Sequence, residues 1–221
     1  MRTWDHIPLV PYTKTEEVLH TVTHAAGLIL SAWIVKDCLL PPIRSGNRFS
    51  IVCAALYLFG TTVMFVTSAL YHGVKPSNAK RLLRLLDHCM IFFTVAGTAT
   101  ACAPAVLATA GRVPAMVMCV CGWLGAVSGL VLTLTAFEKT KALQMALYIG
   151  TGAVCAVCGA KAFTILPHGA FFFFLGGSGT LLIGAVLYGA GKKHRYFHTI
   201  FHVFIDIGLT IFFIGIRQYC Y

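Results

Sequence analysis

Seven apolar stretches, each about 20 residues or a little more, succeed one another along this chain with only short polar connections between them. A helix rises about 1.5 Å per residue, so each stretch is long enough to cross the roughly 30 Å hydrocarbon core of a bilayer. In that medium the backbone must satisfy its own polar groups, and for segments of this length the helix does so. The predicted spans are His20–Leu40, Ser50–Tyr71, Leu85–Thr109, Val113–Thr135, Ala142–Leu166, Gly169–Ala190 and Tyr196–Ile216. Lys36 and Asp37 fall near the end of the first, and Lys161 falls inside the fifth. The expected fold is therefore all-α: an integral membrane protein built as a seven-transmembrane helix bundle, its consecutive helices antiparallel. Residues 1–16 form a polar N-terminal segment and residues 17–221 a single membrane domain, leaving no room for a soluble one. A cleavable signal peptide is not expected, because Trp4, Asp5 and Glu16-Glu17 stand where a basic start and an apolar core would be.

The net charge of +10 does not point to nucleic acid. The basic residues lie in short connections, where they act as topology signals. One side of the predicted bundle holds Arg2, Lys14, Lys75, Lys80, Arg81, Arg84, Lys139, Lys141, Lys192, Lys193 and Arg195, eleven in all. The other side holds six: Lys36, Arg44, Arg48, Arg112, Lys161 and Arg217. The excess predicts a cytoplasmic N-terminus and an outside C-terminus.

Seven of the nine cysteines lie inside apolar runs, where cysteine behaves as a small hydrophobe. Cys119-x-Cys121 and Cys155-x2-Cys158 sit mid-span, a poor place for a zinc or redox pair. Gly122, Gly125 and Gly129 in the fourth span, and Gly176, Gly177, Gly179 and Gly184 in the sixth, permit close helix approach. Phe171 to Phe174 are expected to face lipid or fill gaps between helices.

The informative residues are polar groups that share one predicted depth. Glu17, His20 and His24 open the first span, His72 closes the second, Asp87 and His88 open the third, and His198 and His202 open the seventh. Antiparallel alternation brings all these ends to one side of the bundle. His198 and His202 are four residues apart, so their imidazoles stand one above the other on one helix face, as two ligands of one metal would. Adding His72 makes three imidazoles from two helices, the ligand set of a catalytic zinc that keeps one position for water. Ser68 lies one turn before His72 on the same face. Asp87 is the candidate to orient and deprotonate that water. Taken singly, His72 could be an interfacial histidine, Ser68 a packing hydroxyl and Asp87 a favourable charge at a helix N-terminus. Their shared depth favours the site. His20 and His24 repeat the four-residue spacing, and Glu17 lies one turn before His20; a proton path or an alternative metal site is open to these three, and the preferred expectation is that they surround the metal ligands. His88 should point away from Asp87, its neighbour in the chain. Asp206, one turn beyond His202, is deep and needs a partner, the site or Lys161.

These residues carry a resemblance. Ser68-Ala-Leu-Tyr71-His72, Leu86-Asp87-His88 with Ala96-Gly97-Thr98, and Phe197-His198-Thr-Ile-Phe201-His202 resemble the hemolysin III family, within the group of progestin and adipoQ receptors and alkaline ceramidases. Glu17-x2-His20-x3-His24 is similar to the family's opening motif, which usually has Asn where His20 stands. Gly122-Trp123 and Gly176-Gly177 also fit, so the resemblance covers nearly the whole chain. It implies a seven-helix fold with an intramembrane Zn2+ held by His72, His198 and His202, with Asp87 against its water. His20 and Asp206 depart from the pattern.

The leading expectation is a zinc-dependent hydrolase of a lipid amide or ester, ceramidase-like, in a bacterial plasma membrane, with membrane lipid as both environment and substrate. A receptor or regulator using zinc as a structural clasp is the alternative. A pore-forming haemolysin ranks below both, because the spans carry no polar stripe to line a pore.

Overall fold

A computed structural model describes residues 7–190 and 194–221. Arg2, Trp4, Asp5, Lys192 and Lys193, which entered the signal-peptide and charge arguments, lie outside the described residues. Seven helices are long and apolar enough to cross a membrane: α1 (Lys14–Ser45), α2 (Arg48–Gly73), α3 (Asn78–Thr109), α4 (Arg112–Ala136), α5 (Lys141–Ile165), α6 (Gly169–Ala190) and α7 (Phe197–Tyr219). There is no strand among the described residues. The chain is an integral, multi-pass, all-helical membrane protein.

Local chemistry sets the helix ends, and two of them lie well outside the apolar runs. Thr13 and Glu16 form a reciprocal capping box that starts α1 six residues before the predicted span. The Ser77 hydroxyl accepts from the Lys80 backbone N–H and starts α3 seven residues early. Lys36 and Asp37 do not end α1. They sit in a π-helical turn, Val35–Leu39, and the helix continues to Ser45, where Gly46 adopts a left-handed φ of 72°. Asp37 accepts from Arg217 of α7 at 3.0 Å, so this charge is paired at the bundle end remote from the histidines.

α1 packs against both α2 and α7, α3 packs on α2, α4 and α5, and α6 packs on α7. The core between α1, α2 and α7 contains Leu30, Ile34, Tyr57, Phe65, Leu209, Phe213 and Ile216. α2 and α3 approach backbone to backbone at Gly60 and Gly97: a Cβ on Gly60 would lie 2.5 Å from the Phe93 carbonyl oxygen. Gly125, Gly129 and Gly177 also meet neighbouring side chains, whereas Gly179 faces open space. Large apolar residues such as Val120, Leu124, Val157 and Val186 point outward, as lipid-facing residues do. Phe171 and Phe172 are among them, while Phe174 packs on the core. α5 and α6 follow each other in the chain and meet through Phe163 against Phe171 and Phe174.

Candidate metal centre

Five histidines from three helices meet at one end of the bundle. His20 and His24 come from the first turns of α1, His72 from the last turn of α2, and His198 and His202 from the start of α7. The packing of α1 between α2 and α7 brings them together. His20, His24, His72 and His202 are each at most 4% exposed, and His198 is half-buried. One ring nitrogen from each of His20, His72 and His198 lies within 4.8 Å of the other two. His202 adjoins this group: its Nε2 is 3.1 Å from Nε2 of His198. His24 stacks face to face on His202, with ring centroids 3.8 Å apart. Burying imidazole nitrogens without partners is costly. Nε2 of His20, Nε2 of His72 and both ring nitrogens of His24 are buried and make no hydrogen bond among the described residues.

The residues around the rings are equally specific. Glu17 Oε2 is 2.7 Å from His72 Nδ1, and Glu17 Oε1 accepts from Lys80 Nζ at 2.8 Å. The Lys80 ammonium also donates to the carbonyls of Val74 and His72, so it satisfies the C-terminal end of α2. Nδ1 of His72 thus meets both Glu17 and, at 3.2 Å, Nδ1 of His20, while its Nε2 stays without a hydrogen bond among the described residues. Metal-bound histidines are usually oriented by a carboxylate in this way. The Thr23 hydroxyl lies 3.3 Å from Nδ1 of His202 and plays the same part there. Orphaned nitrogens, converging rings and carboxylate support all fit a divalent transition ion, and imidazole suits zinc among several.

Ser68 and Asp87 occupy facing positions on α2 and α3. Ser68 is buried, and its hydroxyl stands within reach of the Asp87 carboxylate. Asp87 is half-buried and has no ion pair among the described residues. It lies within electrostatic reach of Tyr71 and Tyr188, which pack on His72 and His198 respectively. Asp87 thus borders the cluster without belonging to its group of close nitrogens. His88 turns away and packs edge-on against Phe137. Asp206 has a buried oxygen without a partner, and Lys161 is exposed and forms no ion pair among the described residues.

Three contributors have no counterpart in the motif reading. Tyr12 lies over the cluster, its ring 4.8 Å from that of His20 and 5.2 Å from that of His198. Burial raises its hydroxyl well above the ordinary phenol range, so it remains a proton-bearing group. The segment before it is pinned by Arg81, which donates to the Ile7 carbonyl at 3.0 Å, and by Arg84, which donates to the Pro8 carbonyl. Ile7 is buried against Leu85 and Phe137. Lys80 and Arg84, which sequence treats as topology charges, are 3% and 4% exposed. Pro8 and Pro11 beside the capping box are the one sequence signal that the chain here is extended and ordered.

The chain has known relatives. A family model described as Haemolysin-III related matches residues 12–213. Hemolysin-3 homolog from Bacillus subtilis (strain 168) is 23% identical over 215 residues, which are 95% of this chain and 96% of that protein. Hemolysin-3 from Bacillus cereus is 23% identical over 204 residues, covering 92% of this chain and 91% of its own.

Proposed function

Because the chain belongs to the haemolysin-III related family, whose bundle here gathers buried imidazoles at one end, we propose that it is a zinc-dependent intramembrane hydrolase acting on a lipid amide or ester. The observation that carries this reading is the convergence of His20, His72 and His198, with His202 beside them and buried nitrogens left unsatisfied. When bound, the ion supplies Lewis-acid chemistry, polarising an acyl carbonyl and acidifying water. His72, His198 and His202 would hold it, and Glu17 and Thr23 would orient two of those rings. Asp87 takes the proton of the attacking water as a general base and returns it to the departing nitrogen or oxygen. The acyl carbon thereby gains the hydroxyl, and the leaving group gains the proton. Ser68 offers its hydroxyl, beside Asp87, to position the carbonyl. The lipid reaches the site from the bilayer, between helices. The Bacillus relatives favour a bacterial plasma membrane as its location.

Purified protein in lipid nanodiscs, supplied with N-acyl and O-acyl lipids, tests this reading. Stripping the metal with a chelator is expected to lower acyl release by about 100-fold or more, and zinc should restore it. Turnover that survives complete removal of the metal contradicts it. One observation favours a second reading: Asp87 stands outside the group of close nitrogens. A metal used only as a clasp between α1, α2 and α7, in a receptor or regulator, would not need that carboxylate.

A further inference from the structure

One buried hydroxyl beside the cluster is left without a partner. Tyr71 is 3% exposed, and its hydroxyl oxygen is buried without a hydrogen bond among the described residues. Leaving such a group orphaned is costly, and the hydrocarbon of a bilayer supplies no water to satisfy it. The ring is fixed from two sides. It packs on the ring of His72 with centroids 4.4 Å apart, and the Lys80 ammonium sits 5.2 Å over its face. The hydroxyl lies within electrostatic reach of Asp87 and Arg84 of α3, Glu17 of α1 and Tyr188 of α6. It therefore stands in the space those helices enclose, beside the candidate general base. The other donors around that space are committed or wetter. Lys80 donates to Glu17 and to two carbonyls of α2's end, and Arg84 donates to Pro8 and Glu138. Ser68 faces the Asp87 carboxylate, and Tyr12 and Tyr188 are only half-buried.

We infer that Tyr71 is a catalytic residue, its phenol donating a hydrogen bond to the acyl oxygen on which negative charge develops during attack. This rests on the hydrolase reading proposed above and deepens it. As the water oxygen bonds to the acyl carbon, an electron pair of the C=O bond moves onto the carbonyl oxygen. Tyr71 donates to that oxygen and keeps its own proton. The pair returns to the C=O bond as the leaving group departs with the proton carried by Asp87. A donor already in place before the charge appears stabilises the transition state more than it stabilises the substrate. The packing of the ring against His72 and under Lys80 supplies that fixed position, and the orphaned state of the hydroxyl leaves it free to donate.

The test compares zinc-loaded native protein with the Tyr71→Phe variant in nanodiscs, a change that keeps the ring and removes only the hydroxyl. The variant's kcat for acyl release is expected to fall about 10²–10³-fold, with KM and metal content near the native values. A long-chain alkyl phosphonate carries a tetrahedral anion where that charge develops, and its affinity, read by calorimetry, should fall by a similar factor. The Tm should hold or rise, because an unsatisfied buried group has been removed. A purely structural hydroxyl gives the reverse, a lower Tm with kcat and phosphonate affinity unchanged, and that result overturns the inference while leaving the hydrolase reading intact. Native protein that neither releases acyl chains nor binds the phosphonate overturns both. Coordinates of the native protein with the phosphonate bound decide the matter even if the variant does not fold. The Tyr71 Oη is expected about 2.7–3.1 Å from a phosphonate oxygen. A separation beyond about 3.5 Å contradicts the assignment.

Discussion

Replacing Asp87 with asparagine is expected to lower lipid turnover about 10²–10⁴-fold while the metal content stays the same. Asparagine keeps the shape of the side chain and removes only its capacity to accept a proton. Asp87 has no ion pair among the described residues, so the substitution strands no buried partner charge. Nor is it one of the close nitrogen-bearing residues, so the ion keeps its ligands. The readout is acyl release per mole of bound metal in nanodiscs. The clasp reading predicts no change at all, which makes this substitution the sharpest division between an enzyme and a receptor.

A second large effect is expected at Gly60, far from the chemistry. Its Cβ position lies 2.5 Å from the carbonyl oxygen of Phe93 and 2.9 Å from that carbonyl carbon, so the obstacle is backbone and cannot rotate aside. The Gly60 carbonyl also accepts from the Thr94 hydroxyl at 3.0 Å, a bond that requires the same close approach. Gly60→Leu must part α2 from α3, and with them His72 from the Lys80 that steadies its carbonyl and its Glu17. Overpacking of this kind costs about 1–3 kcal/mol. For a chain of this length that corresponds to a fall in Tm of roughly 2–12 °C, read by tryptophan fluorescence in detergent. Gly179→Leu is the control: its Cβ position has no neighbour within 4 Å, and its Tm should stay within about 2 °C of the native value. Equal losses in the two variants would mean that helix approach at Gly60 is not what limits stability.

The seven helices were legible because apolar length is a direct reading of membrane thickness. The depth of the polar groups was legible too, since antiparallel alternation follows from short connections. Hydropathy could not show where α3 begins. Lys80, Arg81 and Arg84 depress the apolar signal there; the cap at Ser77 is a local bond that hydropathy does not register, and the inward turn of Lys80 is decided by Glu17 on α1. The same limit applies to His20. Periodicity says that His20 and His24 share a face of α1, but not that α1 lies between α2 and α7 and aims His20 at His72. The motif reading placed His20 around the ligands; the structure puts it among the three closest nitrogens, with His202 adjoining. Tyr12 was invisible for a related reason. It precedes the first span in what reads as a polar lead-in, and only the tether of Arg81 and Arg84 to Ile7 and Pro8 lays it over the rings.

Elemental analysis of the purified protein, set beside a His72→Ala/His198→Ala double variant, tests most directly whether this histidine cluster holds an ion. Two of the three residues with close nitrogens are removed, so the site is disabled. The expected result is about one zinc per native chain and close to none in the variant, with both proteins still folded in detergent. A native protein free of metal, or equal metal in the two proteins, would contradict it.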